Sequence, residues 1–180
     1  MTHYVFLADG FEEIEALTPV DVLRRAGEKV TTVSIKSEKA VVGSHGVCVD
    51  ADALIAELDF ADAGYLVLPG GMPGTTHLGK CGALCSLLKD HAAKGGRIAA
   101  ICAAPSVLGE LGLLKGRRYT CYPGCEKAWE GAKKEDERVV VDGDWVTAAG
   151  PAMSFPFALN LLERLQGEEK AETIADAMIF

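Results

Sequence analysis

At 180 residues the chain is long enough for one substantial hydrophobic core but not comfortably for two, so it reads as a single domain over 1–180. Its 49% hydrophobic and 24% charged residues exclude a disordered chain and fit a globular one. A net charge of −8 argues against an electrostatically driven nucleic-acid binder, which needs clustered Lys and Arg, although a local positive site stays open.

The apolar run 3–8 predicts a first strand, after which Asp9-Gly10-Phe11 turns the chain into a helix over 12–26 that Gly27 stops. Ile14, Leu17 and Val20 are expected on the apolar stripe of that helix, with Arg24 and Arg25 at its negative pole. Pro19 removes one intrahelical bond and is expected to kink it. The β-branched segment 29–35 predicts a second strand, and 39–50 a hairpin or short strands around Ser44-His45-Gly46. Further strands are expected at 65–68 and 97–101, separated by a helix over 80–93. A helix follows Cys102 as far as Glu110, then strands at 138–141 and 145–148 and a helix over 154–166. The tail 168–180 predicts a last helix with Ile174 and Ala175 facing inward.

Alternation of strands and helices specifies a mostly parallel sheet covered on both faces, with ligand sites beyond the carboxyl ends of the strands. The polar or glycine-rich breaks Asp9–Glu15, Pro69–Gly74 and Cys102–Pro105 fall at such ends, and Gly150-Pro151 is a fourth. Acidic residues from Asp9 onward interrupt the N-terminal apolar run too early for a secretory leader, and no apolar segment reaches membrane-spanning length. Cys48, Cys81, Cys85, Cys102, Cys121 and Cys125 are therefore expected to be thiols of a reducing compartment, and the protein cytoplasmic.

Cys102 is the principal candidate, because a cysteine between a strand and a helix lies near helix N–H groups that stabilise a thiolate. A buried core thiol is the competing reading. Glu15, one turn into the first helix, is the best carboxylate partner, although Glu12, Glu13 and Glu15 equally suit the first turn of any helix. The amides of Gly70, Gly71 and Ala103 can form an oxyanion hole, or the glycines can simply make a turn. His45 is a candidate to face the site, His77 a weaker one, and His91 is expected on a solvated helix face. No nucleotide phosphate loop, zinc-protease helix, CxxC pair or serine nucleophile elbow occurs, so no metal and no cofactor is expected.

Asp9-Gly10-Phe11-Glu12-Glu13-Ile14-Glu15, Leu68-Pro69-Gly70-Gly71 and Ala100-Ile101-Cys102-Ala103-Ala104-Pro105, in that order, resemble the ThiJ/PfpI superfamily, in the branch of the parkinsonism-associated protein deglycase. The resemblance spans essentially the whole chain. It implies a flavodoxin-like three-layer α/β sandwich, a homodimer, Cys102 as the nucleophilic or oxidisable thiol and Glu15 as its protonated partner. Gly71 and Ala103 would supply the amides. Tyr122 stands where the family often has a histidine, and His45 matches a position that is arginine in some relatives. Both depart from a Cys-His hydrolase. The implied activity is cysteine-dependent conversion of small dicarbonyls such as methylglyoxal to hydroxy acids, or deglycation of their early adducts. Oxidative sensing or chaperone-like protection through Cys102 is the alternative, and intracellular peptide hydrolysis a weaker one.

Overall fold

The computed structural model describes residues 1–180. In chain order the strands of the main sheet are β1 (Thr2–Leu7), β2 (Val30–Ser34), β5 (Ala53–Leu54), β6 (Ala63–Leu68), β7 (Arg97–Ile101), β10 (Val139–Asp142) and β11 (Trp145–Ala148). Two small ribbons stand apart: β3 (Ala40–Val42) with β4 (Cys48–Asp50), and β8 (Arg118–Tyr119) with β9 (Lys133–Lys134). The helices are α1 (Glu13–Arg25), α2 (Gly74–Lys80), α3 (Gly82–Ala93), α4 (Pro105–Glu110), α5 (Ser154–Gln166) and α6 (Glu168–Ala177).

Spatial order in the main sheet is β10-β11-β7-β6-β1-β2-β5, and every pairing is parallel except β10 with β11. Side chains alternate across it, as a period of two requires. Val5, Leu7, Val67, Ala99 and Ile101 pack on α1, α5 and α6, while Tyr4, Phe6, Leu66, Leu68, Ile98 and Ala100 pack against α2, α3 and α4. With both faces covered, the central strands β1, β6 and β7 are buried almost throughout and largely apolar, and the result is a flavodoxin-like three-layer α/β sandwich. No helix is long and apolar enough to cross a membrane.

Several local expectations change. Of the stripe expected on α1, Val20 is buried, but Leu17 is only partly covered and Ile14 is half exposed; the buried face also takes in Ala16, Pro19, Val22 and Leu23 together with Glu15. The apolar spacing did not reveal which face the sheet would take. Pro19 lies within a continuous α1. The helix expected over 80–93 is α3, which starts at Gly82, and a short helix not expected from the sequence, α2, precedes it, the two separated where Cys81 takes an extended conformation. In α6, Ile174 is buried, whereas Ala175 is only partly covered. His91 is not on a solvated face: its Nε2 bonds the carbonyls of Gly64 and Arg97 at 3.0 and 3.2 Å.

The chain reverses direction across the sheet between β1 and β6, which opens a crevice at their carboxyl ends. Backbone bonds tie the connecting loops together there. Glu12 N–H donates to Gly70 O at 2.9 Å, Gly74 N–H to Gly10 O at 3.2 Å, and Cys102 N–H to Ala148 O at 2.8 Å. The convergence expected from topology is therefore present.

Candidate active site

Cys102 follows β7 directly and takes φ 63°, the left-handed region that side chains other than Asn, Asp and Gly rarely enter. A strained backbone held by its surroundings is characteristic of functional corners. Here the hold is visible, with Cys102 N–H bonded to Ala148 O and Cys102 O accepting from Tyr122 N–H, both at 2.8 Å. The thiol sits beside the N–H groups of Ala103 and Gly71, which both favour its ionised form.

Glu15 approaches from α1 and is completely buried. Its Oε2 accepts the Gly70 N–H at 2.8 Å. Oε1 makes no hydrogen bond of ordinary geometry, so the contact with Cys102 is an electrostatic coupling rather than a well-formed bond. Burial pushes the Glu15 carboxyl up to about 7, against the lowering effect of Cys102 and Gly70 and with a small upward contribution from Glu12. Burial and the Glu15 charge push the Cys102 thiol up to about 12. The Coulombic part of that push vanishes once Glu15 holds a proton. The two groups thus compete for one proton: the Gly71 and Ala103 amides favour the thiolate, whereas the Gly70 amide favours the Glu15 carboxylate.

Two glycines make this closeness feasible. A Cβ on Gly70 would stand 2.7 Å from both Cys102 Cβ and Glu15 Oε2. Gly71 has φ 90°, and a Cβ there would collide with the Glu12 backbone nitrogen. By sequence the Gly70 amide belongs with the oxyanion donors. The structure gives that amide to Glu15, leaving Gly71 and Ala103 beside the sulfur.

His45 does not face the thiol. It lies at the tip of the β3–β4 hairpin with its ring mostly exposed, Nδ1 2.9 Å from Glu13 Oε2 and 3.6 Å from Glu12 Oε1. Glu13 also accepts the His45 N–H at 2.8 Å, so the pair fastens the hairpin to α1. This carboxylate clasp, and Glu12 next to it, were missed in the sequence. Their only signal was the acidic run that every helix N-terminus favours. Donor atoms of Glu12, Glu13 and His45 lie within 4.8 Å of one another, the one arrangement in the chain with metal-ligand types in reach. His3 is buried against Glu28 and the Tyr65 N–H, and His77 bonds Asp9 O, so each of the four histidines is engaged away from Cys102.

Tyr122 touches the site through its backbone, and its half-exposed ring lies over Gly150. It borders a cavity of about 440 Å³ that also includes Arg138, Gly150 and Pro151. A second cavity, about 430 Å³, opens on the side of Ala103 and Met72. Cys102 itself lines neither, but its neighbours contribute to both.

The chain matches the model of the DJ-1/PfpI family over residues 1–164. It is 37% identical over 177 residues to Protein dj-1beta of Drosophila melanogaster, covering 97% of this chain and 95% of that protein. It is 35% identical over 165 residues to the glutathione-independent glyoxalase DJR-1.2 of Caenorhabditis elegans, covering 91% and 87%. Its structure is similar to that of oxidized Toxoplasma gondii DJ-1, with a TM-score of 0.92, 38% identity, and coverage of 99% of this chain and 98% of that one.

Proposed function

This chain belongs to the DJ-1/PfpI family, and we propose that, as a single domain, it converts small dicarbonyls such as methylglyoxal to hydroxy acids or releases their early adducts, using Cys102. The observation that carries this reading is the Cys102 sulfur set beside two backbone N–H groups and a buried carboxyl whose proton affinity is raised to about 7.

The Cys102 thiolate attacks the aldehyde carbon, and the carbonyl π electrons move onto oxygen. The N–H groups of Gly71 and Ala103 stabilise that oxygen, and Glu15 gives it a proton, forming a hemithioacetal. Glu15, now a carboxylate, removes the proton from the former aldehyde carbon. Its return to the neighbouring carbon leaves a lactoyl thioester. Water hydrolyses the thioester to lactate and restores the thiol, so the net change is addition of one water to methylglyoxal. A hemiaminal adduct enters the same route when the thiolate displaces its amine, which takes the Glu15 proton as it leaves. A group that gives and takes a proton near neutral pH suits both halves of this sequence.

Oxidation of Cys102 by peroxide is the second reading, favoured by the same amides and carboxyl, which would bind the oxygens of a sulfinate. Peptide hydrolysis lacks support, since no histidine reaches Cys102. A homodimer is consistent with the half-exposed Ile14 on α1 and Val47 on the adjoining hairpin, and size measurement in solution tests it. Six free thiols are consistent with a cytoplasmic setting.

Purified protein is expected to yield lactate from methylglyoxal, predominantly one enantiomer, and Cys102→Ser to yield none. Stoichiometric loss of dicarbonyl without lactate would sink the proposed reaction. Peroxide-dependent oxidation spread evenly over the six cysteines would sink the alternative.

A further inference from the structure

We propose that the cavity between α2 and α4 is a second subsite of the Cys102 centre, built for the carboxylate-bearing amino-acid part of a dicarbonyl adduct. This deepens the function proposed above and rests on it.

Position is the first argument. Met72 and Ala103 line the cavity, and they are the chain neighbours of Gly71 and Cys102. A substituent on a carbonyl carbon held by the Gly71 and Ala103 amides therefore has this space beside it. At about 430 Å³ the cavity is within the range of small-molecule sites and far exceeds what methylglyoxal alone requires.

Charge is the second. The wall holds Lys80, Lys127 and Glu110. Lys127 is paired with Glu110 at 2.7 Å, whereas Lys80 joins none of the chain's ion pairs. In a protein of net charge −8 this leaves one uncompensated cation on the wall of this cavity, suited to a carboxylate.

The remaining wall suits the body of a small amino acid. Val107 and Met72 are apolar, and Gly79 and Gly124 project no side chain into the space. Thr75 in the same wall is only 5% exposed, and its hydroxyl has no hydrogen-bond partner within the chain. A buried hydroxyl in that condition is unfavourable, and a ligand in this cavity that accepts from it would relieve the cost.

The probes are N-lactoylalanine and its methyl amide, which differ only in the carboxylate, titrated calorimetrically into the full-length Cys102→Ser protein. N-lactoylalanine is expected to bind about tenfold more tightly, the size of one charge-assisted contact. Lys80→Met should abolish that preference. Gly79→Met should weaken both probes about tenfold by filling the cavity. A Cβ at Gly79 meets only Val107 Cγ2, at 3.6 Å, so the helix has room for the change.

Absence of binding, or a carboxylate preference that survives Lys80→Met, would overturn the subsite. If Gly79→Met does not fold by circular dichroism, the Lys80→Met comparison decides. Lactate production by the unaltered protein without probe binding overturns the cavity and leaves the reaction standing. Carboxylate-selective binding without lactate production supports the cavity and removes the reaction.

Discussion

Replacing Glu15 by Gln should make the protein progressively more stable relative to the wild type as pH rises. Burial lifts this carboxyl from 4.5 to about 7, so between those values the unfolded chain releases a proton that the folded protein keeps. The unfolded state then binds fewer protons, and stability falls as pH increases through that window. Integrated from pH 5 to pH 8, the loss from this one group is about 2–3 kcal/mol. Gln retains a side-chain oxygen for the Gly70 N–H, has nearly the same volume, and does not ionise. The assay is urea denaturation of both proteins at the two pH values, in a Cys102→Ser background so that the thiol does not titrate. His45 and Glu13 contribute equally to both proteins and cancel in the difference. The variant should gain about 2–3 kcal/mol on the wild type between pH 5 and pH 8. Parallel curves, or a gain below about 0.5 kcal/mol, would refute the claim that Glu15 is held protonated by burial.

Two further outcomes follow from the geometry. Gly70→Ala places a methyl group 2.7 Å from both Cys102 Cβ and Glu15 Oε2, so it should cost about 1–3 kcal/mol in denaturation and abolish lactate formation. Unchanged stability and activity would contradict the close packing described. The β3–β4 hairpin should be held most firmly between about pH 4.5 and 6.5. Hydrogen bonding to Glu13 raises His45 above 6.5, so its contribution is full below that value and lost as pH climbs through the raised one. Burial pushes Glu13 up, but bonds from His45 and the backbone outweigh it and hold the carboxyl at about 2, so its contribution is full above 4.5 and lost as pH falls through about 2. Hydrogen exchange at the His45 amide, corrected for intrinsic rates, should show greater protection at pH 5.5 than at pH 8.5, and equal protection would count against the clasp.

Much of this molecule was legible in the sequence because its signals are local. Apolar runs such as Tyr65–Leu68 and Arg97–Ile101, bounded by glycines and alternating with helical segments, specify a buried parallel sheet, and that sheet formed. A cysteine at the end of one such strand, before a helix, marks a corner where amides collect, and Cys102 occupies it.

What the sequence by itself left undetermined depends on neighbours far along the chain. Ile14 and Glu15 are adjacent, and the apolar one is half exposed while the acid is buried, because the crevice and not hydrophobicity decides how the start of α1 is turned. Gly70 and Gly71 look equivalent in one dimension, yet one amide serves Glu15 and the other the thiol. His45 reads as a site residue and is a hairpin fastener, since its partner Glu13 lies 32 positions away. Residue types and strand order determined that a thiol would sit at the carboxyl end of a central strand, before a helix. Only the tertiary structure decided which buried group keeps its proton, because desolvation is set by packing from α1, β6 and β7 together.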